Sequence, residues 1–379
     1  MPDHVRRPHA GSEDATVTTS EQDRTTVRDA DPARTEEDGA GPSRPRRALH
    51  ALSRPGPWRR GRVLAAFALL LGLVMLSHAR IPNGFKNLGS LVETFLPWFG
   101  LFVPVLLAAA LWRRSATAVV ALLLPVVAWL SLFGGLLGTS SHAGGDLTVV
   151  SHNVGAENPD PIGTARALAA SGADVLALEE MTPKAVVTYE RALATAYPHH
   201  AVLGTVGVWS KLPLSHTEPL DASVLQGMFG PLGERQPVDA SSDSIRAIRT
   251  TVTTDRGPLA VYVAHLGSVR VNPRAGLSTG QRNAAADALA RTIADEKIER
   301  VVLLGDLNGT MDDRAFDRLT SELDSAQEVA GDGFGFTWPA AFPMVRIDQI
   351  LVRGVTPDSA WLLPRTGSDH RPVAATISW

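Results

Sequence analysis

The sequence contains no cysteine. This absence excludes disulfide bonds, thiolate nucleophiles and zinc–thiolate sites, and it is compatible with an oxidising compartment. Aromatic and β-branched apolar residues are nearly missing from residues 1–61, which are rich in Arg, Asp, Thr, Pro and Gly instead. Such a segment cannot bury enough surface to offset its chain entropy. We therefore expect residues 1–61 to form a disordered tail.

Basic residues are scarce in the second part of the chain. Residues 142–379 contain 20 Lys and Arg but 28 Asp and Glu, whereas residues 44–62 carry seven Arg and no acid. A large acidic domain attracts long polyanions such as DNA poorly. The charge distribution thus disfavours a nucleic-acid partner.

Three long apolar runs follow the tail, and they start near Val63, Leu91 and Ala116. Each has about 17 to 23 residues, the length that a helix needs to cross the hydrocarbon core of a bilayer. A signal peptide is disfavoured because the first run lies far from residue 1 and two more runs follow it. Buried helices of a soluble domain are the remaining alternative. We predict three transmembrane helices within residues 62–140.

The basic residues around these runs predict the orientation. Seven Arg precede the first run, Arg113 and Arg114 lie between the second and third, and Arg80 and Lys86 occupy the other connection. Because cytoplasmic loops carry the excess of Lys and Arg, we expect a cytoplasmic tail. Three crossings then place the following domain outside the cell membrane.

From Asp146 onward, short apolar strands alternate with helix-like segments at 161–171, 183–196 and 280–297. The stretch "TDRGP" has the composition of a hairpin turn. This alternation predicts an α/β fold for residues 146–379, a layered sandwich of mixed β-sheets flanked by helices. The loops between Thr217 and Ser244 are expected to set substrate specificity.

Polar side chains stand repeatedly at the predicted strand ends, where ligands bind in layered α/β folds. Oxygen atoms of Asn, Asp and Glu are hard ligands that suit Mg²⁺ or Mn²⁺, and a His beside an Asp is typical of a general base. Together they would supply metal-assisted phosphoester hydrolysis. The set comprises Asn153, Glu179, Glu180, His265, Asp306, Asn308, Asp348, Asp369 and His370.

The stretch Ser368–Asp369–His370 also contains the residue types of a serine-hydrolase triad. Consecutive residues on an extended chain point to opposite faces, so they cannot form a triad with one another. No G-x-S-x-G elbow accompanies them. We expect Ser368 to serve the turn before the last strand.

Six motifs in order, "SHNV", "DVLALEE", "AH", "GDLN", "RIDQILV" and "SDH", resemble the endonuclease/exonuclease/phosphatase (DNase I-like) superfamily. That superfamily includes nucleases, inositol polyphosphate phosphatases and neutral sphingomyelinases. The likeness covers roughly residues 146–379. The layout with three apolar runs also resembles actinomycete membrane proteins of this superfamily that are associated with teicoplanin resistance.

The resemblance implies roles for individual residues. It assigns the metal, Mg²⁺ or Mn²⁺, to Asn153, Glu180 and Asp369. It implies that Asp306 activates the attacking water and that Asp348 orients the catalytic His370. Contacts to the phosphate are assigned to His265 and Asn308, and Arg282 matches a recurrent family Arg on a helix.

Two positions depart from the family pattern. Gly155 stands where several nucleases carry an acid, and Glu179 replaces a family Gln. Taken alone, Glu179 reads as a solvated residue at a helix start. The departure at Gly155 favours a phosphatase or phospholipase-like member over a nuclease. We therefore expect a membrane-anchored, Mg²⁺-dependent phosphoesterase that acts on a membrane lipid or lipid-linked phosphate, with no obligate protein partner. A tethered extracellular nuclease and a non-catalytic scaffold are the alternatives.

Overall fold

The computed structural model describes residues 56, 58–138, 144–220, 245–272 and 276–379. Nearly all of the predicted tail (1–61) lies outside the described residues. Most of the predicted specificity loop, residues 221–244, lies outside them as well.

The first described part is helical. Its helices are α1 (Arg62–Leu76), α2 (Leu88–Thr94), α3 (Phe102–Trp112), α4 (Ala116–Ala121) and α5 (Leu123–Phe133). Short 3₁₀ turns at Leu96–Leu101 and Gly134–Leu137 continue two of them. Pro97 and Pro125 interrupt regular helix hydrogen bonding in this part.

Among the described residues, one helical stretch, Ala116–Leu137, is long and apolar enough to cross a membrane. The pair Leu88–Thr94 and Leu96–Trp112 meets the same criterion together but bends by 69°. The helix Arg62–Leu76 is apolar but shorter. The three predicted spans are therefore not established by the helix lengths.

The α/β part carries five helices and fourteen strands among the described residues. Helices α6 (Pro161–Ala170) and α7 (Pro183–Leu193) begin with proline after a capping side chain, Asp160 and Thr182 respectively. The other three are α8 (Gly280–Ala294), α9 (Asp317–Thr320) and α10 (Ala326–Ala330). The predicted helical segments are thus confirmed with slightly earlier ends.

The described strands form two six-stranded mixed sheets and a small ribbon. The first sheet contains β1 (Leu147–Asn153), β2 (Val175–Glu179), β3 (His199–Leu203), β4 (Val206–Ser210), β13 (Thr356–Leu362) and β14 (Val373–Ser378), in the spatial order β13-β14-β1-β2-β4-β3. The second sheet contains β5 (Leu214–Pro219), β6 (Ala247–Thr254), β7 (Gly257–Ala264), β10 (Val301–Asp306), β11 (Asp324–Ser325) and β12 (Asp348–Arg353), in the spatial order β11-β12-β10-β7-β6-β5. Strands β8 (Arg270–Asn272) and β9 (Gly276–Ser278) make the ribbon, and "TDRGP" forms the β6–β7 hairpin as predicted.

Alternating side chains of each strand separate the core into three layers. One layer, with Val149, Val208 and Val302, lies between the two sheets. A second packs Leu303 and its neighbours under α8, and a third packs Trp209 and its neighbours under α6 and α7. The predicted α/β sandwich is confirmed.

The helical part packs directly on the α/β part. Glu93 of α2 is fully buried and accepts hydrogen bonds from Arg314 Nε (2.9 Å) and Nη2 (2.6 Å). Trp98 Nε1 donates to the carbonyl oxygen of Met344 (2.7 Å). The Glu93–Arg314 pair thus joins α2 to the loop that follows β10.

Candidate active site

The predicted polar residues meet at one edge of the sandwich. In the first sheet, the parallel strands β1 and β2 pair Asn153 with Glu179 at their ends. In the second, the end of β10 pairs Asp306 with Asp348 at the start of β12. Because the two sheets pack face to face, these strand ends converge. The sequence alone predicted the clustering, and the register brings it about.

Asp306 lies at the centre of the cluster and is almost fully buried. Its Oδ2 accepts a hydrogen bond from Asn153 Nδ2 (2.9 Å) and lies 3.7 Å from His265 Nε2 and 3.8 Å from His370 Nε2. Its Oδ1 accepts from the backbone N–H of Asn308 (2.8 Å). The two His distances exceed a hydrogen bond, so the imidazoles surround the carboxylate without contacting it.

His370 is held by Asp348. Its Nδ1 lies 2.9 Å from Asp348 Oδ2 and 3.1 Å from Oδ1, in a buried setting. Burial alone would lower the pKa of His370, but the carboxylates of Asp348 and Asp306 outweigh it and raise the pKa to about 10. The raised pKa favours a protonated ring, and in that state His370 would act as a proton donor and anion binder. The general-base role expected from the sequence stays a prediction.

Asp306 is the residue whose pKa suits a base. Burial raises its pKa to about 7; His370 opposes this rise and Asp348 adds to it. A carboxyl group that titrates near neutrality can accept a proton from water at working pH. The same pocket thus holds one group poised to accept a proton and one poised to donate one.

His265 is paired with Arg246, a residue that belongs to none of the six sequence motifs. Arg246 Nη2 lies 2.8 Å from His265 Nδ1 and 2.6 Å from Nε2. Burial and the neighbouring Arg246 cation lower the pKa of His265 well below its ordinary value, so the ring is neutral. Arg246 also faces the carboxylates of Asp306 and Glu180, which stabilise its charge. The only sequence signal for Arg246 was its position just before β6, the strand that pairs with β7, which His265 follows.

Glu180 and Asn153 supply oxygen atoms to the open side of the cluster. Glu180 has a half-exposed side chain and a left-handed backbone (φ 60°), a conformation that costs energy in a non-glycine residue. Its Oε2 accepts from Asn153 Nδ2 (2.9 Å) and lies 4.0 Å from His265 Nε2. Rotation of the Asn153 amide would turn its oxygen toward the same space. The carboxylates of Glu180 and Asp306 and the amide of Asn153 surround one point and form a donor set that fits a hard divalent cation.

A second group, Asp306, Asp348 and His370, also brings its ligand atoms within 4.8 Å of one another. Its His370 Nδ1 is engaged with Asp348, which leaves Nε2 on the side of Asp306. A His that donates one ring N–H to a carboxylate can bind a metal through its other ring nitrogen. The site therefore offers two sets of candidate ligands, this group and the oxygens of Glu180 and Asn153.

Asn308 lies in the loop after β10, and hydrogen bonds to its side chain and its carbonyl oxygen fix its position. Asn308 has a left-handed backbone (φ 52°), and its Nδ2 donates to the carbonyl oxygen of Leu266 (3.0 Å). The buried Arg282 donates to the Asn308 carbonyl oxygen (3.1 Å) and to Asp313 Oδ2 (2.5 Å). Asp313 in turn caps the next helical turn through the Ala315 N–H. Arg282 thus fixes the loop that carries Asn308.

The remaining predicted positions lie around this cluster. Asp369, predicted as a metal ligand, is exposed at the rim, and its Oδ2 accepts from Trp338 Nε1 (3.2 Å). Ser368 Oγ donates to the Asn153 carbonyl oxygen (2.7 Å) and accepts from the His370 N–H (3.0 Å), which is turn chemistry as predicted. Gly155 has φ 73°, a conformation that disfavours an acidic side chain there.

Glu179 differs from its prediction as a solvated residue. It is fully buried as the last residue of β2, with Oε1 accepting from Ser151 Oγ (2.9 Å). Burial raises its pKa well above the ordinary range, and Asp348 adds to the effect. The solvated interpretation was wrong because the strand continues through Glu179 into the space between the sheets.

Comparison with known proteins agrees with this geometry. A model of the endonuclease/exonuclease/phosphatase family matches residues 150–370, more than half of the chain, and the chain belongs to this family. Members of the family hydrolyse phosphate esters and depend on divalent metals. No curated protein matches the chain.

Several solved structures are similar to part of the chain. Humanized TDP2 of D. rerio is 21% identical with a TM-score of 0.48, over 62% of this chain and 99% of that one. Sphingomyelinase C from Streptomyces griseocarneus is 19% identical with a TM-score of 0.44, over 61% and 98%. An endonuclease/exonuclease/phosphatase protein from Beutenbergia cavernae is 18% identical with a TM-score of 0.47, over 62% and 72%.

Proposed function

We propose that this protein is a membrane-anchored, Mg²⁺-dependent phosphoesterase that hydrolyses a lipid-linked phosphate ester outside the cell membrane. The observation that carries the catalytic part is Asp306, buried between His265 and the Asp348-supported His370, with Asn153 and Glu180 beside it. These groups provide a base, an acid and a set of oxygen ligands within one pocket.

The chain's own residues divide the reaction between them. Asp306 accepts the proton of the attacking water, and the new P–O bond forms as the ester P–O bond breaks. The oxygen of the leaving alcohol keeps the electron pair of the broken bond and takes up a proton from solvent. His370, held by Asp348, donates a hydrogen bond to the phosphate as negative charge develops on its oxygens. The neutral His265 and the cation of Arg246 face the same space and bind further phosphate oxygens.

The metal site proposed from the donor set consists of Glu180 and Asn153, with Asp369 as a predicted ligand at the rim. A divalent cation there supplies Lewis-acid polarisation of the phosphoryl group. Mg²⁺ and Mn²⁺ both prefer such oxygen donors. The two can be separated by restoring activity to chelator-treated protein with each ion alone.

Membrane anchoring is supported by the surface of the helical part. Large apolar side chains there are exposed, among them Leu70, Leu73, Phe102, Val105 and Val127. A soluble domain rarely exposes so large an apolar surface. Lipid around the helices would account for it.

The charge at the two ends of the helical part supports the predicted orientation. The N-terminal end of α1 and the α3–α4 turn lie together, since Ser115 Oγ donates to the Arg60 carbonyl oxygen (2.5 Å). Arg59, Arg62, Arg113 and Arg114 flank this contact in the chain. The α/β part packs at the opposite end, which the positive-inside rule places outside. Protease treatment of intact cells tests this: the α/β part should be cleaved and residues near the first Arg cluster protected.

The substrate class is proposed from the location of the site next to the apolar helices. The experiment is hydrolysis by the purified full chain in nanodiscs of a lipid pyrophosphate, sphingomyelin and plasmid DNA, with Mg²⁺ and with EDTA. We expect release from a lipid substrate that EDTA abolishes. Nicking of DNA without lipid hydrolysis would establish the tethered nuclease instead, and hydrolysis of nothing in the panel would favour a scaffold. Whether the protein contributes to teicoplanin resistance is a separate proposal, tested by deleting its gene and measuring resistance.

A further inference from the structure

An apolar groove lies where the helical part meets the α/β part, and its volume is about 430 Å³. We call it the junction groove; its walls include Trp98, Leu101, Val126, Trp129, Phe334 and Phe336. The first four belong to the helical part and the last two to the loop before β12. Every side chain that lines it is apolar.

The polar atoms of the two indoles are turned away from the groove. Trp98 Nε1 donates to the Met344 carbonyl oxygen (2.7 Å), and Trp129 Nε1 donates to the Pro97 carbonyl oxygen (2.9 Å). Phe336 stacks on Trp98 with ring centroids 5.6 Å apart, and Phe334 lies 6.0 Å from Trp129. The aromatic walls are thus ordered, and they offer a ligand only apolar surface.

The groove opens onto the exposed face of the helices. Leu101 is 59% exposed and Leu130 is 48% exposed at its margin. A helix, about 10 Å in diameter with its side chains, is too thick for a groove of this volume. An extended hydrocarbon chain is thin enough, and a bilayer would surround the margin with such chains.

One short segment connects the groove with the catalytic residues. Phe336 forms a groove wall, and the next residue, Thr337, is buried with its Oγ1 accepting from the Asp348 N–H (3.4 Å). Trp338 then donates to Asp369 Oδ2 (3.2 Å) at the rim of the site. Residues two apart on an extended chain are separated by about 7 Å. The groove wall at Phe336 and the rim of the site at Trp338 are therefore about 7 Å apart along this segment, less than the roughly 15 Å that a lipid chain spans in one leaflet.

We propose that the junction groove binds one hydrocarbon chain of the lipid substrate and so holds its phosphate at the site around Asp306. This deepens the proposed function and rests on it. The groove would select substrates by chain length, while the polar cluster would select the phosphate ester.

Two substitutions one residue apart on α5 test the proposal. Val126 lines the groove, whereas Val127 is 62% exposed on the outer helix face and does not line it. Val126→Trp fills the groove, and Val127→Trp adds the same bulk outside. In nanodiscs, kcat/KM is measured for a homologous series of lipid phosphates and for bis(p-nitrophenyl) phosphate, a soluble ester without a chain.

We expect Val126→Trp to lower the ratio of long-chain to soluble-ester kcat/KM by about tenfold, the equivalent of losing the burial of fewer than two methylene groups. Val127→Trp should keep the wild-type ratio. Equal ratios in all three proteins, or the same loss in both variants, would overturn the groove assignment while leaving the phosphoesterase proposal intact. Thermal unfolding of each variant shows whether it is folded.

A binding readout separates this proposal from the proposed function. A phospholipid with a diazirine at its chain end is photocrosslinked to the wild-type protein in nanodiscs. We expect labelling of the peptide that contains Phe334 and Phe336, and its loss in Val126→Trp but not in Val127→Trp. Labelling of this peptide in a protein that hydrolyses no ester would refute the function and retain the chain site; absence of labelling would refute the chain site.

Discussion

The buried contact between Glu93 and Arg314 allows a quantitative prediction. The Glu93 carboxylate has no exposed surface, and the Arg314 side chain is 26% exposed. Removing one partner of a buried pair costs about 3 to 5 kcal/mol, because the other charge stays buried without compensation. The partial exposure of Arg314 reduces this, so we expect Arg314→Met to lower the free energy of unfolding by about 3 kcal/mol.

Substituting the other partner, Glu93, should lower the free energy of unfolding by less. Glu93→Gln removes the buried charge, keeps a hydrogen-bond acceptor for Arg314 and leaves a cation that can reach water. We expect a loss of about 1 kcal/mol. The double variant Glu93→Gln/Arg314→Met should be more stable than Arg314→Met alone, since it has no buried uncompensated carboxylate. Arg318→Met is the matched control, because Arg318 is exposed and pairs with Asp287 at the surface (3.2 Å).

The assay is a double-mutant cycle of thermal unfolding in detergent, followed by intrinsic fluorescence. A loss of about 3 kcal/mol corresponds to a decrease in Tm of roughly 6 to 12 °C for a domain of this size. If Arg314→Met destabilised no more than Glu93→Gln or Arg318→Met, the helical part would not be joined to the β10 loop as described.

Three further predictions address stability and the site. Burial, reinforced by Glu328, raises the pKa of Asp312 to about 6. Asp312 therefore binds a proton more tightly in the folded protein than in the unfolded chain, and the protein loses stability as the pH rises from about 4 to 6. We expect Asp312→Asn to add about 2 kcal/mol to the free energy of unfolding at pH 7 and to flatten the pH dependence measured by unfolding at several pH values. Gly305 has φ 152°, and a Cβ there would lie 1.9 Å from the Ala264 carbonyl oxygen, so Gly305→Ala should destabilise by at least about 2 kcal/mol in urea unfolding, and a smaller loss would contradict the strand contact. Arg246→Met should reduce kcat/KM by about 10- to 100-fold if its cation binds substrate phosphate, whereas Arg256→Met at the exposed β6–β7 turn should leave it unchanged.

Much of the site followed from the sequence because its residues stand at strand ends. The apolar strand "VVLLGD" ends at Asp306, and "RIDQILV" places Asp348 at the start of a strand, so a layered sheet had to bring such positions to one edge. The pairing of Asp306 with Asp348 in adjacent strands is the register that achieves this. Fold class and site location could therefore be predicted from the sequence.

Other features depend on contacts between residues far apart in the chain. Arg246 acts only through its proximity to His265, and the protonated state of His370 results from two carboxylates that belong to other strands. The bend between α2 and the following turn has no clear sequence signal beyond Pro97. The junction groove arises only because Phe334 and Phe336 pack against helices more than 200 residues earlier.

The most direct test of the central claim compares wild-type protein with Asp306→Asn in the hydrolysis of a lipid phosphate in nanodiscs, with Mg²⁺ titrated after EDTA treatment. Asp295→Asn, at an exposed carboxylate beyond α8, is the matched control. We predict that Mg²⁺ restores hydrolysis in the wild type and the control, and that Asp306→Asn reduces kcat by about 10²- to 10⁴-fold. Hydrolysis that persists in EDTA, or an Asp306→Asn variant with wild-type kcat, would contradict the account.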